Sequence, residues 1–230
     1  GEKLLAALRI PGGAGLLALV LGFTFGLRSV GVLLTVALAA YNLAGLAVLT
    51  VRSARERGSF GALLREQPRR QGAHLAHAGL VVLALGVAFS TAYKSSAEIT
   101  LNKGQSTPFA GQTAKLESLE QRSYPYGSAV VAAVTIDGQT YLPRTNVYVN
   151  GGNTLYPTPS VHYGLLGDSY LVTTNLDPNG QWASVRLISS PLVSWIWVGM
   201  LIIVLGASLT LVTPRVAVRQ TVPAGAVAAD

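Results

Sequence analysis

Residues 71–92 read QGAHLAHAGLVVLALGVAFSTA, a run with no Asp, Glu, Lys or Arg and with two histidines near its start. A hydrocarbon core of roughly 30 Å is crossed by about 20 helical residues at ~1.5 Å each, so this run has the length and composition of a transmembrane helix. Two further runs, 29–51 and 191–213, meet the same condition. A fourth, 11–27, holds five glycines and sits at the short end of the spanning range. Across its 230 residues the chain is 50% hydrophobic and only 12% charged, whereas a soluble domain carries about 25% charge. That excludes an ordinary water-soluble globule and, equally, a disordered chain. With no cysteine, neither a disulfide scaffold nor a thiolate metal site is available.

The net charge of +7 has a location that explains it. Segment 52–70 contains six arginines (Arg52, Arg55, Arg57, Arg65, Arg69, Arg70) against two glutamates, and short basic loops stay on the cytoplasmic side. Four crossings then also put Lys3 and Arg9 of the N-terminus and Arg215 and Arg219 of the C-terminal tail inside. Three crossings would leave one basic tail outside. The expected organisation is a transmembrane hairpin (1–51), a basic cytoplasmic loop (52–70), a histidine-bearing transmembrane helix (71–92), an extracytoplasmic domain (93–190), a last transmembrane helix (191–213) and a cytoplasmic tail (214–230). A basic excess confined to membrane flanks is what positive-inside bias and a lipid bilayer with anionic headgroups select. No basic stripe with interleaved aromatics suggests nucleic acid.

Segment 93–190 reads as antiparallel β. Residues 129–136 are β-branched and apolar, Asp137-Gly138 is a two-residue hairpin signal, and 139–149 continue the run. A second hairpin is expected from 169–175, the turn Asp177-Pro178-Asn179-Gly180, and 181–188. Weaker strands are 97–101 and 113–119, while Pro157 and Pro159 mark 156–160 as loop or edge. The fold class is thus an α-helical integral membrane protein of about four transmembrane helices with an inserted antiparallel β-rich extracytoplasmic domain. The chain begins at Gly1 without an initiator methionine, as a fragment or processed product would.

Only His74, His77 and His162 offer imidazole chemistry. His74 and His77 are three residues apart and so share one face of their helix. His77 would lie about 9 Å from Gln71, beyond the headgroups. Ionisable groups at such depth face a protein interior or a site. Its small neighbours Ala76, Ala78 and Gly79 leave room for a flat macrocycle or a second helix. Two readings stay open for this pair: interfacial histidines hydrogen-bonded to polar groups or water, or ligands of a metal or haem. Zinc would want more ligands than this helix carries, which favours haem. Both histidines project from one face and cannot occupy opposite axial positions of one iron, so a bis-histidine haem needs a partner ligand from outside the chain. His162 reads as a surface or sheet-edge histidine. Nothing resembles a nucleophile elbow or ordered triad. Trp195 and Trp197 open the last helix, where aromatics mark the membrane interface.

Several stretches resemble one family. Residues 72–88, with Leu75-Ala76-His77-Ala78-Gly79-Leu80 inside them, are similar to the "LAHLG" helix near the C-terminal end of the cytochrome c maturation protein F (CcmF) family, the membrane protein of the haem lyase complex. Pro191-Leu192-Val193-Ser194-Trp195-Ile196-Trp197-Val198-Gly199-Met200 resembles that family's last helix, and Leu166-Gly167-Asp168-Ser169-Tyr170-Leu171-Val172 the strand before it. The amphipathic Phe60-Gly61-Ala62-Leu63-Leu64-Arg65 also fits. The resemblance implies that His77 is one of two transmembrane ligands of a stable haem b, and that His74 is not a ligand. The family's second haem-b ligand, its tryptophan-rich extracytoplasmic motif and its two extracytoplasmic haem-binding histidines have no counterpart here, so no catalytic residue is assigned.

The resemblance further implies a C-terminal portion of a cytochrome c-type biogenesis haem lyase in the bacterial inner membrane. Such a portion would help attach haem covalently to apocytochrome c on the outer side of the membrane. Its expected partners are the N-terminal part of the same protein, a haem chaperone, and apocytochrome c with its thiol-reducing partner. The alternative is a non-catalytic structural membrane subunit whose extracytoplasmic β domain binds a partner protein. A transporter is less well supported, because paired intramembrane charges and broken helices in matching halves are missing.

Overall fold

The computed structural model describes residues 2–125, 127–148 and 154–212, with side chains from residue 7 onward; the expected tail 214–230 lies outside the described residues. In chain order the elements are α1 (Glu2–Thr24), α2 (Val30–Glu56), α3 (Phe60–Glu66) and α4 (Pro68–Ala92), then strands β1 (Ser95–Asn102), β2 (Ser106–Phe109), β3 (Gln112–Tyr124), β4 (Gly127–Ile136), β5 (Gln139–Tyr141), β6 (Arg144–Tyr148), β7 (Leu155–Thr158), β8 (Ser160–His162), β9 (Gly167–Leu176) and β10 (Trp182–Pro191), and finally α5 (Ser194–Thr210). Ala7–Thr24 of α1, together with α2 and α4, is long and apolar enough to cross a membrane, while α5 is shorter at 17 residues. The protein is a helical membrane protein with an inserted antiparallel β domain.

Helix ends differ from the hydropathy runs for local reasons. The first apolar run opens at Pro11, yet α1 starts at Glu2 and carries Pro11 in its interior, on the side that faces Gly45 of α2. At the hairpin tip Gly26 takes φ +94°, and Ser29 caps α2 by accepting from the Val32 N–H. The basic segment after residue 51 is largely helical: α2 continues to Glu56, and α3 then buries Leu63 completely. Arg52 pairs with Glu56 at 3.2 Å and Arg57 with Glu66 at 3.0 Å, so both glutamates of the segment are engaged by arginines. Its net positive charge is carried by Arg55, Arg65, Arg69 and Arg70.

The end of α4 meets the hairpin tip. The Tyr93 hydroxyl accepts from the backbone N–H of Arg28 at 3.2 Å and of Ser29 at 3.4 Å. The α1–α2 tip and the root of the β domain therefore lie at the same end of the helices, as four alternating crossings require.

Glycines at seven-residue spacing bring α4 and α5 together. A Cβ built on Gly72 would stand 2.5 Å from the Gly206 carbonyl oxygen, and one on Gly79 would stand 2.7 Å from the Ile203 nitrogen and 2.8 Å from the Gly199 oxygen. At Gly86 it would meet the Ile196 nitrogen at 2.9 Å. Small residues let the backbones touch, which in lipid is how helices gain packing energy without a hydrophobic driving force. By its size alone Gly79 suits either a macrocycle or a helix; the helix has it.

The β domain is a two-sheet sandwich. One sheet has order β1-β10-β9-β8, and the other has order β2-β3-β4-β6-β7 with β5 also on β4. Leu101, Leu171 and Val185 from the first pack against Leu116, Val134 and Ile136 from the second in one buried core. Between the sheets Thr145 and Thr173 share a buried hydrogen bond of 2.7 Å, which keeps two hydroxyls satisfied inside the core.

The Asp137-Gly138 turn has φ +46° and +79°, the paired positive values of a type I′ hairpin. The run after it reads as one strand and is two, β5 and β6. Both keep the same register on β4, since Val134 faces Tyr141 and Val131 faces Arg144. The break falls at Pro143, whose carbonyl accepts from the Ala132 N–H at 2.9 Å but which has no N–H to return. In the second hairpin the Gly180 N–H donates to the Asp177 carbonyl at 3.0 Å and the Gln181 N–H to its carboxylate at 2.8 Å. Pro157 lies in β7, at the edge of its sheet, and Pro159 sits where the chain passes between the sheets.

On the outer face of the first sheet Glu98 accepts from Thr174 Oγ1 at 2.6 Å and from Arg186 at 2.7 Å. The Thr174 hydroxyl first, and Arg186 second, hold the Glu98 carboxyl below its ordinary range. A carboxylate lowered in the folded state stabilises above its unfolded value of 4.5 and loses that contribution as pH falls through the folded value. Because the group is exposed, the effect is small. Thermal unfolding between pH 6 and pH 3 should show an acid-side loss of midpoint that is reduced in Glu98→Gln.

Candidate functional site

His77 stands nine residues into α4, ~13.5 Å from its start at Pro68. Its Nδ1 lies 2.8 Å from the Ala73 carbonyl oxygen. A carbonyl has no proton to give, so Nδ1–H is the donor, which leaves Nε2 as the nitrogen available to a ligand. This is the tautomer in which metal-ligating histidines are commonly held, with the second nitrogen donating to a carbonyl. The ring is exposed at the mouth of a groove of about 290 Å³ between α2 and α4, lined by Thr35, Leu38, Ala39, Asn42, Leu80, Val81 and Ala84. Asn42 and Thr35 return their own polar groups to α2, to the Leu38 and Gly31 carbonyls. The groove that His77 faces is therefore predominantly apolar.

His74 is placed differently. Its Nδ1 is 3.2 Å from Thr50 Oγ1 on α2, and it is half-buried in a second groove, with Phe60 and Leu64 of α3 and Leu209 of α5. Although the two rings sit three residues apart, they line separate spaces. His74 is held through Nδ1 by a hydroxyl of α2, whereas His77 is held through Nδ1 by a carbonyl of its own helix and is the more exposed ring. Thr50 carries no motif that would have singled it out; its signal is the position of a polar side chain on an apolar helix.

His162 lies in β8 at the edge of its sheet. Its Nε2–H donates to the Thr140 carbonyl at 3.0 Å, its Nδ1 is 2.7 Å from Gln139 Nε2, and its ring stacks edge-on to Tyr141 with centroids 4.3 Å apart. Both nitrogens are engaged, so it ties the two sheets together at their margins. Among the described residues no group of three His, Cys, Asp or Glu could hold a metal ion, so a multi-ligand zinc-type centre has no donors there. A single histidine with a free Nε2 beside an apolar groove suits a haem iron, which takes only its axial ligands from protein.

A helical bundle with an inserted β sandwich and one open histidine at membrane depth defines a class of multi-pass membrane protein. No protein-family model matches the chain. Among curated proteins, the cytochrome c-type biogenesis protein CcmF of Escherichia coli (strain K12) is 31% identical over 144 residues, covering 61% of this chain and 22% of that protein. CycK of Bradyrhizobium diazoefficiens, also described as a cytochrome c-type biogenesis protein, is 31% identical over 161 residues, 67% of this chain and 24% of its own length. A solved structure titled "Cytochrome c Heme Lyase CcmF" superposes with a TM-score of 0.69 at 28% identity, covering 86% of this chain and 33% of the other. The chain is related to the CcmF proteins and spans between about a fifth and a third of the length of these relatives. Its apolar helices and these relatives make it a bacterial membrane protein.

Proposed function

We propose that this chain is the C-terminal portion of a cytochrome c-type biogenesis haem lyase, in which His77 is an axial ligand of a transmembrane b-type haem. The observation that carries the proposal is the Nδ1–H to Ala73 carbonyl bond of 2.8 Å, which leaves Nε2 as the ring's available nitrogen at the mouth of a predominantly apolar groove. Bound haem would supply one-electron redox chemistry. What the chain itself contributes is binding and orientation: the Ala73 carbonyl fixes the ring, while Leu38, Leu80 and Val81 keep water from the iron side. The second axial ligand comes from the N-terminal part of the complete protein, because His74 projects from the same helix as His77 and lines a separate groove, and His162 belongs to the sandwich.

In this proposal the arginine-rich end of the helices is cytoplasmic and the sandwich faces outward from the inner membrane. The concentration of Arg55, Arg65, Arg69 and Arg70 at one end, with the sandwich and hairpin tip at the other, supports that orientation. There the β domain would support the site where the haem chaperone and apocytochrome c, with its thiol-reducing partner, are brought together. A pyridine haemochrome assay on the purified complete protein should give one haem per copy. No stoichiometric haem would overturn the proposal in favour of a structural subunit.

A further inference from the structure

We propose that the loop joining β8 to β9, Tyr163 to Leu166, dips into the bilayer and anchors the β sandwich to lipid. The proposal rests on the chain being a membrane protein and is independent of haem. Its first support is depth. The glycine register places Gly79 against Gly199 and Gly72 against Gly206, and it sets Gly86 against the Leu192 carbonyl at 3.2 Å. Leu192 is thus level with Gly86, seven residues or ~10 Å short of Tyr93 along α4. In this proposal Tyr93, with Arg28 donating to its hydroxyl, lies at the outer margin of the interfacial band that aromatic side chains favour, with Trp195 and Trp197 at its inner margin. Whatever is bonded to Leu192 therefore lies within that band, on the membrane side of Tyr93.

The loop is bonded there. The Leu192 N–H donates to the Leu166 carbonyl at 3.0 Å, and Trp195 Nε1 in the first turn of α5 donates to the Leu165 carbonyl at 2.9 Å. Its side chains point away from this attachment: Tyr163, Leu165 and Leu166 are 80%, 71% and 78% exposed. Trp197, 69% exposed on α5, continues the apolar surface.

A second support is the state of the backbone. Irregular chain at membrane depth is tolerated only when its polar groups find partners within the protein. The Gly164 carbonyl accepts from the Gly167 N–H at 3.3 Å, so the carbonyls of Gly164, Leu165 and Leu166 are all satisfied. The Gly164 N–H donates to Asp168 Oδ1 at 3.1 Å, and that carboxylate, only 4% exposed, also accepts from Ser194 Oγ at 2.9 Å. The N–H groups of Leu165 and Leu166 have no partner among the described residues, so the loop sits at the depth where lipid headgroups and interfacial water reach them. The short α5, 17 residues or ~25 Å, is completed on its outer side by these leucines.

The test uses the complete protein, with any cysteine elsewhere replaced by serine, in vesicles of phosphatidylcholine and phosphatidylglycerol. This chain has no cysteine of its own, so Leu165→Cys can carry a single environment-sensitive fluorophore. Lipids bearing a nitroxide high on the acyl chain should quench it several-fold more than the same label at Asn179→Cys in the distant turn, and aqueous iodide should show the reverse. Leu166→Cys provides an independent site, since neither leucine packs in the core. Iodide quenching at Leu165→Cys and Leu166→Cys equal to that at Asn179→Cys would overturn the proposal. So would shielding from both quenchers, which would mean that another protein segment covers the loop.

Discussion

Gly79→Val should separate α4 from α5 and cost the protein roughly 3 kcal/mol or more, above the usual range for an overpacked core. The reason is that the atoms a Cβ would meet are the Ile203 nitrogen at 2.7 Å and the Gly199 oxygen at 2.8 Å, both backbone, and neither can swing aside as a side-chain tip would. The helices must move apart, and the contacts at Gly72 and Gly86 loosen with them because all three glycines share one seam. Gly13→Val is the control: a Cβ there would meet nothing within 4 Å, so it carries only the intrinsic helix preference of the new residue. In detergent, thermal denaturation should drop by many degrees for Gly79→Val and hardly move for Gly13→Val. Equal midpoints would show that the seam is not close-packed.

That seam also shows what the sequence could and could not reveal. The helices, the hairpin at Asp137-Gly138 and the turn ending at Gly180 were legible, because apolar runs and turn residues act through local conformational preferences. Helix ends were less so. Proline suits the first turn of a helix, so Pro11 reads as a start, but α1 begins at Glu2 and runs through it. Pro191 reads as part of the last helix because hydropathy does not distinguish a strand end from a helix start; pairing with Gly167 keeps it in β10. The seven-residue glycine spacing is present in the sequence from the outset, yet which helix it meets depends on α5, more than a hundred residues away. Around the histidines, residue type and spacing mark the candidates. Only the tertiary structure separates His74, half-buried and bonded to Thr50 on α2, from His77, exposed at the mouth of a different groove.

His77→Ala should remove the bound haem, because among the described histidines His77 is the one exposed at the mouth of the apolar groove between α2 and α4, with Nδ1 held by the Ala73 carbonyl and Nε2 left for a ligand. Alanine keeps α4 intact, since it is the best helix former and the position is exposed. His74→Ala, by contrast, should lose only the contact to Thr50 at 3.2 Å and keep the haem. The comparison therefore separates ligation from general damage to the helix. The most direct measurement is the reduced-minus-oxidised absorption spectrum of the purified complete protein carrying each substitution. Loss of the b-type bands in His77→Ala, with their retention in His74→Ala, is the expected result; an unchanged spectrum in His77→Ala would contradict the assignment of His77 as the haem ligand.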